Sequence, residues 1–289
     1  MIATTIATAA QPIGVAIGFV FPSIFVTADD ADDGKQHEED ARHHIFLSQV
    51  WQAGIGVLVL VLLVIFFREK PKTPPSATSK GDEDENVMEH TKALFRDKNF
   101  RVLMITFGII FGTVNTYGTI VGIIGNKMGY TDDDASVFGA VFIIGGIVGS
   151  AILGTYVETT RKYKVAMLIV STIAIFGPIA LLSTLYTGLV WPVCLAAFLL
   201  GFDLAILPVG IDFGVEMTYP IAEPISTGLL MSTAQVFGII MVVSCTALIG
   251  ELGKPGCLGS QLALIVMAAI GLIFSIIVKE DLKRLNYEK

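Results

Sequence analysis

Charge is what this chain of 289 residues has least of. Asp, Glu, Lys and Arg make up 16% of it and hydrophobic residues 53%, where an average soluble domain is about 25% charged. The charges are also gathered into a few stretches, leaving long runs nearly free of them. That excludes an ordinary soluble domain and places the chain in the all-α polytopic membrane class. No basic stripe exists outside one loop and the net charge is -7, so nucleic acid is not a partner. Cys194, Cys245 and Cys257 form no CxxC and no metal spacing, and read as small core residues. The opening MIATTIATAAQPIG lacks the basic stretch of a signal peptide. No P-loop is present, so ATP coupling within this chain is set aside. A serine or metal enzyme would need a histidine within a span, and there is none. An intramembrane aspartyl protease would need acids on two helices, typically in Y-D and G-x-G-D. The nearest string is LGFD, and the other acids share its helix. The expectation is no enzyme, no catalytic residue, no metal ligand and no cofactor. The acidic stretch ADDADDGKQHEEDARHHI, with His37, His43 and His44, reads as a solvated loop.

What the chain does have is apolar runs of spanning length, about 20 residues each. Eight are expected, at 6–27, 46–67, 102–126, 136–157, 165–186, 189–217, 226–249 and 260–278. Fifteen of the 19 Lys and Arg fall on one side if the N-terminus is cytoplasmic, so both termini are expected there. Residues 68–101 are the one composition break. Pro74-Pro75 and the run from Gly81 to Asn86 read as a flexible linker. From Met88 the pattern turns helical, and Leu94, Phe95 and Phe100 could lie along the membrane surface. The expected division is 1–67, a central cytoplasmic linker 68–101, a six-helix body 102–279 and a cytoplasmic tail 280–289.

Polar residues inside spans are costly in lipid and mark functional candidates. Asp203, Asp212 and Glu216 fall in the sixth span. Asp212 and Glu216 are one turn apart and share a face, while Asp203 lies deeper and points the opposite way. Each acid reads either as a carboxylate facing a water-filled cavity or as a structural acid paired near the helix end. Gln11 and Gln235 could bind a solute or join helices. Asn115 and Tyr117 lie in GTVNTYG, among Gly108, Gly112, Gly118 and Gly122. That much glycine suggests a helix that bends or partly unwinds, as at many transporter sites, and the alternative is close packing through small residues. For Gly145, Gly146, Gly149 and Gly154, packing is the expected role.

The turn GTYVETTRKYK resembles the G-x-x-x-D/E-x-x-R-K/R turn of the major facilitator superfamily. The resemblance makes Gly154, Glu158, Arg161 and Lys162 a latch between the two halves of the fold. FREKPKTPPS, PVGIDFGVEMTYPIAEPISTGLLMSTAQVFG and AQPIGVAIGFVFPSIFV resemble signatures of one subfamily, the feline leukaemia virus subgroup C receptor-related transporters. It implies a major facilitator fold whose helices five to twelve are the eight spans, with the first four absent from this sequence and the N-terminus incomplete. It implies a facilitative carrier of choline or ethanolamine by alternating access, in the plasma membrane. Haem or another organic solute is the alternative, and a non-transporting remnant or scaffold the second. The family's choline site resembles an aromatic cage closed by glutamines that match Gln11 and Gln235. Asn115 stands where the cage tyrosine is expected, and Tyr117 is two positions on. Asp212 and Glu216 match family acids and imply a gate at the cytoplasmic helix end, whereas Asp203 has no counterpart. The partners implied are the bilayer, a small-molecule substrate, and the absent helices or a partner chain.

Overall fold

The computed structural model describes residues 35–67 and 87–287, together with Gly14, Ile17 and Gly18, which are helical. The first expected span and Gln11 otherwise lie outside the described residues, as do residues 68–86 of the expected linker. The described chain forms helices and no strands. It falls into two compact units, one over 17–87 and the other containing residues 88–289.

The first unit holds helix α1, Lys35–Phe66. It begins eleven residues before the expected span, so part of the expected acidic loop is helical instead. KQHEEDARHH contains neither glycine nor proline and several strong helix formers, and nothing in it stops the helix. Arg42–Phe66 is long and apolar enough to cross a membrane.

Helix α2, Val87–Arg96, begins at the boundary and carries the chain into the second unit from Met88, where the sequence pattern turns helical. Six spans follow: α3, Lys98–Met128; α4, Asp132–Thr160; α5, Tyr163–Leu185; a sixth-span helix in two pieces, α6, Val190–Gly201 and α7, Ile206–Thr218; α8, Glu223–Leu252; and α9, Lys254–Ile277. A short α10, Lys283–Tyr287, ends the unit. Seven described helices thus have membrane-spanning length and composition.

The ends are set by local chemistry. Asp97 caps α3 by accepting from the backbone N–H groups of Asn99 and Phe100, and Gly129 closes its other end at φ 100°, a conformation glycine adopts without strain. Thr131 and Asp134 form a reciprocal capping box on α4. The turn between α2 and α3 directs Leu94 and Phe100 into the core, leaving Phe95 exposed. Of the three residues expected along the membrane surface, two are therefore core residues.

Helix α3 is the hub. It packs most extensively on α8, then on α9 and α4. In its most apolar stretch 72% of the residues are buried, against 28% in α8 and 33% in α9. It is also unbroken, so of the two roles expected for its glycines, local unwinding and close packing, the second is the one seen. Gly108 and Gly112 instead let α8 approach, closing on Phe237 and Gly238. The interruption lies in the sixth span, where Phe202–Ala205 tightens into a 3₁₀ turn. Pro208 is harmless just beyond it, in the first turn of α7, where backbone N–H groups lack helical partners.

Candidate functional site

Two polar loci stand out in the second unit. One lies at the turn inside the sixth span. The other lies at the rim where α3, α5 and α8 begin and α4 and α7 end.

At the turn, Asp203 is 1% exposed. Its neighbours are clamped to α4 by glycine. Gly146 closes on Leu204 and Gly149 on Phe202, while a Cβ on Gly201 would overlap the carbonyl oxygen of Phe142. At Gly201 and Gly149 backbone meets backbone, and at Gly146 the Leu204 side chain fills the space a Cβ would take. Tyr117 of α3, the helix that also packs on this turn, is 1% exposed as well. Yet Tyr117 Oη and Asp203 Oδ1 have no hydrogen-bond partner, and neither has either amide atom of Gln261. The nearby threonines satisfy themselves: Thr113 and Thr116 donate to the carbonyls of Ile109 and Gly112.

Asn115 and Tyr117 do not share a face. Two positions turn a helix by about 200°, so Asn115 is half-buried on the side of α3 away from buried Tyr117. Gln235 is exposed on α8, beside buried Ala234. Of the four, Asn115 and Gln235 are therefore the accessible side chains, while Tyr117 and Asp203 are buried inside the packing.

At the rim almost everything polar is paired. The side chain of Asn99 grips the backbone of Lys279 twice, donating to its carbonyl at 2.7 Å and accepting from its N–H at 2.8 Å. Lys164 donates its backbone N–H to Glu280 and its Nζ to the carbonyl of Ile276. Lys283 pairs with Asp97 at 3.3 Å and Arg284 with Glu223 at 2.9 Å. The Leu285 N–H donates to Glu216 Oε2 at 3.2 Å, and the rings of Tyr219 and Tyr287 lie 5.1 Å apart. Residues 278–287 thus form a strap tied to the starts of α3, α5 and α8 and the end of α7. Burial pushes the Asp97 carboxyl up, but the N–H groups of Phe100 and Asn99 and the ammonium of Lys283 outweigh it, and the group sits below its ordinary 3.8.

The acids of the sixth span divide between the loci. Glu216 is 8% exposed and held by the strap. Asp212, one turn earlier, is exposed, with Glu216, Glu223, Arg161 and Arg284 as its charged surroundings. Arg161 ends α4 at φ 55°. Tyr163 first, and then the carboxylates of Glu216 and Glu158, hold its guanidinium above the ordinary arginine value. Glu158 and Lys162 are exposed, and Gly154 faces open space, with nothing within 4 Å of where its Cβ would be. Arg161, Asp212 and Glu216 therefore come together electrostatically, while Gly154 is not used for close packing.

Sequence reasoning missed Gln261 and the strap. Gln261 was placed at a span end, but α9 begins at Lys254 and buries it almost two turns in. The strap residues Glu280, Lys283 and Arg284 counted only as tail charges. Their partners are far away in sequence, 180 positions for Asn99 and Lys279.

The sequence model of the Major Facilitator Superfamily matches residues 1–220. The chain is 32% identical over 297 residues to the choline/ethanolamine transporter FLVCR2 of Homo sapiens, covering 99% of this chain and 54% of that protein. It is 29% identical to choline/ethanolamine transporter FLVCR1 of Felis catus, covering 99% and 51%. It is 28% identical to the uncharacterized MFS-type transporter C09D4.1 of Caenorhabditis elegans, covering 94% and 46%. The chain spans about half the length of the curated relatives it matches.

Proposed function

The chain belongs to the Major Facilitator Superfamily, and from that premise we propose that it takes part in alternating-access transport of a small organic solute with an amine head, of the choline or ethanolamine kind. It is an integral, multi-pass membrane protein of a transporter family rather than an enzyme family. The observation that carries the solute class is likeness along 99% of the chain to proteins named choline/ethanolamine transporters. The spans are read as helices five to twelve of the fold, with α1 ending one half and α3 to α9 forming the other.

In this reading Gln235 and Asn115 face the solute, joined by Gln11. An amide offers donors and an acceptor to a hydroxyl or carbonyl without a fixed charge to repel a cation. Movement is facilitative, the solute running down its gradient. The rim faces the cytoplasm, as the excess of Lys and Arg there implies, and the plasma membrane is the site of action. Arg161 with Glu158, Lys162, Asp212 and Glu216 holds the cytoplasmic gate, and Gly154 leaves room for the gate to move.

The test is uptake of labelled choline and of ethanolamine by cells making the chain, against cells making Gln235→Ala. Saturable uptake that falls at least tenfold in the variant supports the reading. Uptake of neither amine, with the protein present in the membrane, removes the solute class. Haem is then the next solute to assay.

A further inference from the structure

We propose that Asp203 is a proton-binding site: its carboxyl takes a proton from water when the crossing of α4 with the Phe202–Ala205 turn opens, holds it while the crossing is closed, and returns it to water on reopening. The site is argued from packing alone. Its consequence for flux rests on the transport reading above.

The structure shows the closed arrangement. Asp203 is almost completely buried and Oδ1 has no partner. An ionised carboxylate left unpaired in a protein interior is strongly unfavourable, and such groups neutralise instead. Neutralisation needs either a basic side chain or a proton. No basic side chain is available in the six spans, where every Lys and Arg lies at a helix end: Lys98, Arg101 and Lys127 on α3, Lys164 on α5 and Lys254 on α9. A proton is what remains.

The other titratable groups on the elements that pack against the turn do not change this. Helix α3, which packs on the turn, brings Tyr117, and α8 carries Cys245. Helix α4 carries Asp132, Asp133 and Asp134 in its first turn and Glu158 near its last. Helix α5 has Tyr163 and Lys164 at its start, α6 has Cys194, and α7 has Asp212 and Glu216 toward the rim. None of them is a hydrogen-bond partner of Asp203 Oδ1.

The surroundings can also open. Phe202 and Leu204, on either side of Asp203, meet α4 through Gly149 and Gly146, and Gly201 meets the backbone at Phe142. Gly201 meets only backbone, at Phe142, and Gly149 meets Phe202 mainly through its backbone, whereas Leu204 seats its side chain against Gly146, so that one side chain is the main knob to disengage when the two elements part. Parting exposes the carboxyl to water, and the proton is free to leave. Closing with the carboxyl still ionised buries a bare charge, so the proton returns first. Tyr117 Oη, unpartnered in the closed state, is the group able to meet the ionised carboxylate when the seam shifts.

Infrared spectroscopy of the full chain in lipid vesicles tests the site without any solute. A carboxylic-acid carbonyl band at neutral pH, shifted by D2O, is expected. It is absent from Asp203→Asn, kept in Asp212→Asn, and removed from the wild type as pH is raised. Absence of such a band, or its persistence in Asp203→Asn, overturns the proposal. In the same vesicles, uptake of labelled choline should fall as pH rises, by at most about tenfold per pH unit, the limit for one proton. Asp203→Asn, locked neutral, should give a flat profile, and a variant profile that follows the wild type also overturns the proposal. If no choline uptake occurs in the wild type, the solute reading fails and the infrared band alone decides the proton site.

Discussion

The rim and the middle of this bundle treat polar groups in opposite ways. At the rim, water is near and charges are cheap, yet almost every side chain is paired: Asn99 with Lys279, Lys164 with Glu280, Asp97 with Lys283, Glu216 with Leu285. In the middle an unpaired polar atom is most expensive, yet Tyr117 Oη and Asp203 Oδ1 stand without partners. A chain that needed only to fold would do the reverse, or would fill the middle with leucine. Pairing at the rim fixes helix ends against one another. Unpaired groups in the middle store a cost that another state of the molecule can relieve, the usual mark of a working element.

The largest effect is expected where the middle is closed by backbone. Gly201→Val forces a branched side chain into the Phe142 carbonyl, and a backbone cannot rotate aside. The expected cost is about 3 kcal/mol or more, the upper end for overpacking, seen as loss of monodisperse protein in detergent. Gly154→Val should leave the yield unchanged, because open space surrounds that glycine. If both variants behave alike, close packing at the α4 crossing is not what closes the middle.

At the rim, Asn99→Ala removes both hydrogen bonds to Lys279. Each such bond is worth about 1 kcal/mol net, so about 2 kcal/mol is the ceiling at this exposed site. Faster hydrogen–deuterium exchange over residues 278–287, with α3 to α9 unchanged, is the expected result. The strap should also loosen in acid. The Asp97 carboxyl sits below its ordinary 3.8 in the folded chain. Its stabilising contribution is therefore complete above that value and is lost as pH falls through the lower folded one. Asp97→Asn, which keeps a capping side chain, should remove that acid dependence of strap exchange.

Tyr117→Phe tests the middle in the other direction. Leaving a buried hydroxyl unpaired costs about 1–3 kcal/mol, and phenylalanine fills the same space without it. The variant is expected to melt at the same temperature as the wild type or higher, while transport falls. A lower melting point would mean that the hydroxyl has a partner in the resting state.

Much of this was legible in the sequence, for a simple reason: apolar runs of spanning length are unavoidable in lipid, and all seven that fall within the described residues are helices. What misled was glycine. GTVNTYG in α3 could be read as a break because glycine is a poor helix former, but its first residue, Gly112, and Gly108 one turn earlier serve close contact with α8. The real interruption follows Gly201 and precedes Pro208. That bracket is visible in LGFDLAILP, though the tightened turn between them depends on α4 pressing against it. Asp203 stood out in the sequence as the deepest of the three acids in its span, pointing away from the other two. That it is sealed behind the α4 crossing, with Asn115 and Gln235 more accessible, required the fold. The strap was illegible because its partners are set by tertiary contact rather than by local pattern.

The smallest effect sharpens the comparison most cheaply. Arg284 and Glu223 lie 2.9 Å apart, but their side chains are 38% and 63% exposed. Exposed ion pairs contribute about 0–1 kcal/mol and are screened by salt. Arg284→Gln is therefore expected to change strap exchange less than Asn99→Ala does. Glu223→Gln and the double variant complete the cycle that isolates the pair, since Arg284 has contacts besides Glu223. A coupling energy that vanishes at high salt would mark this pair as a surface trimming of the strap. One that survives would mean that the rim shelters its charges from water, and the contrast with the middle would then be one of pairing alone, not of access to solvent.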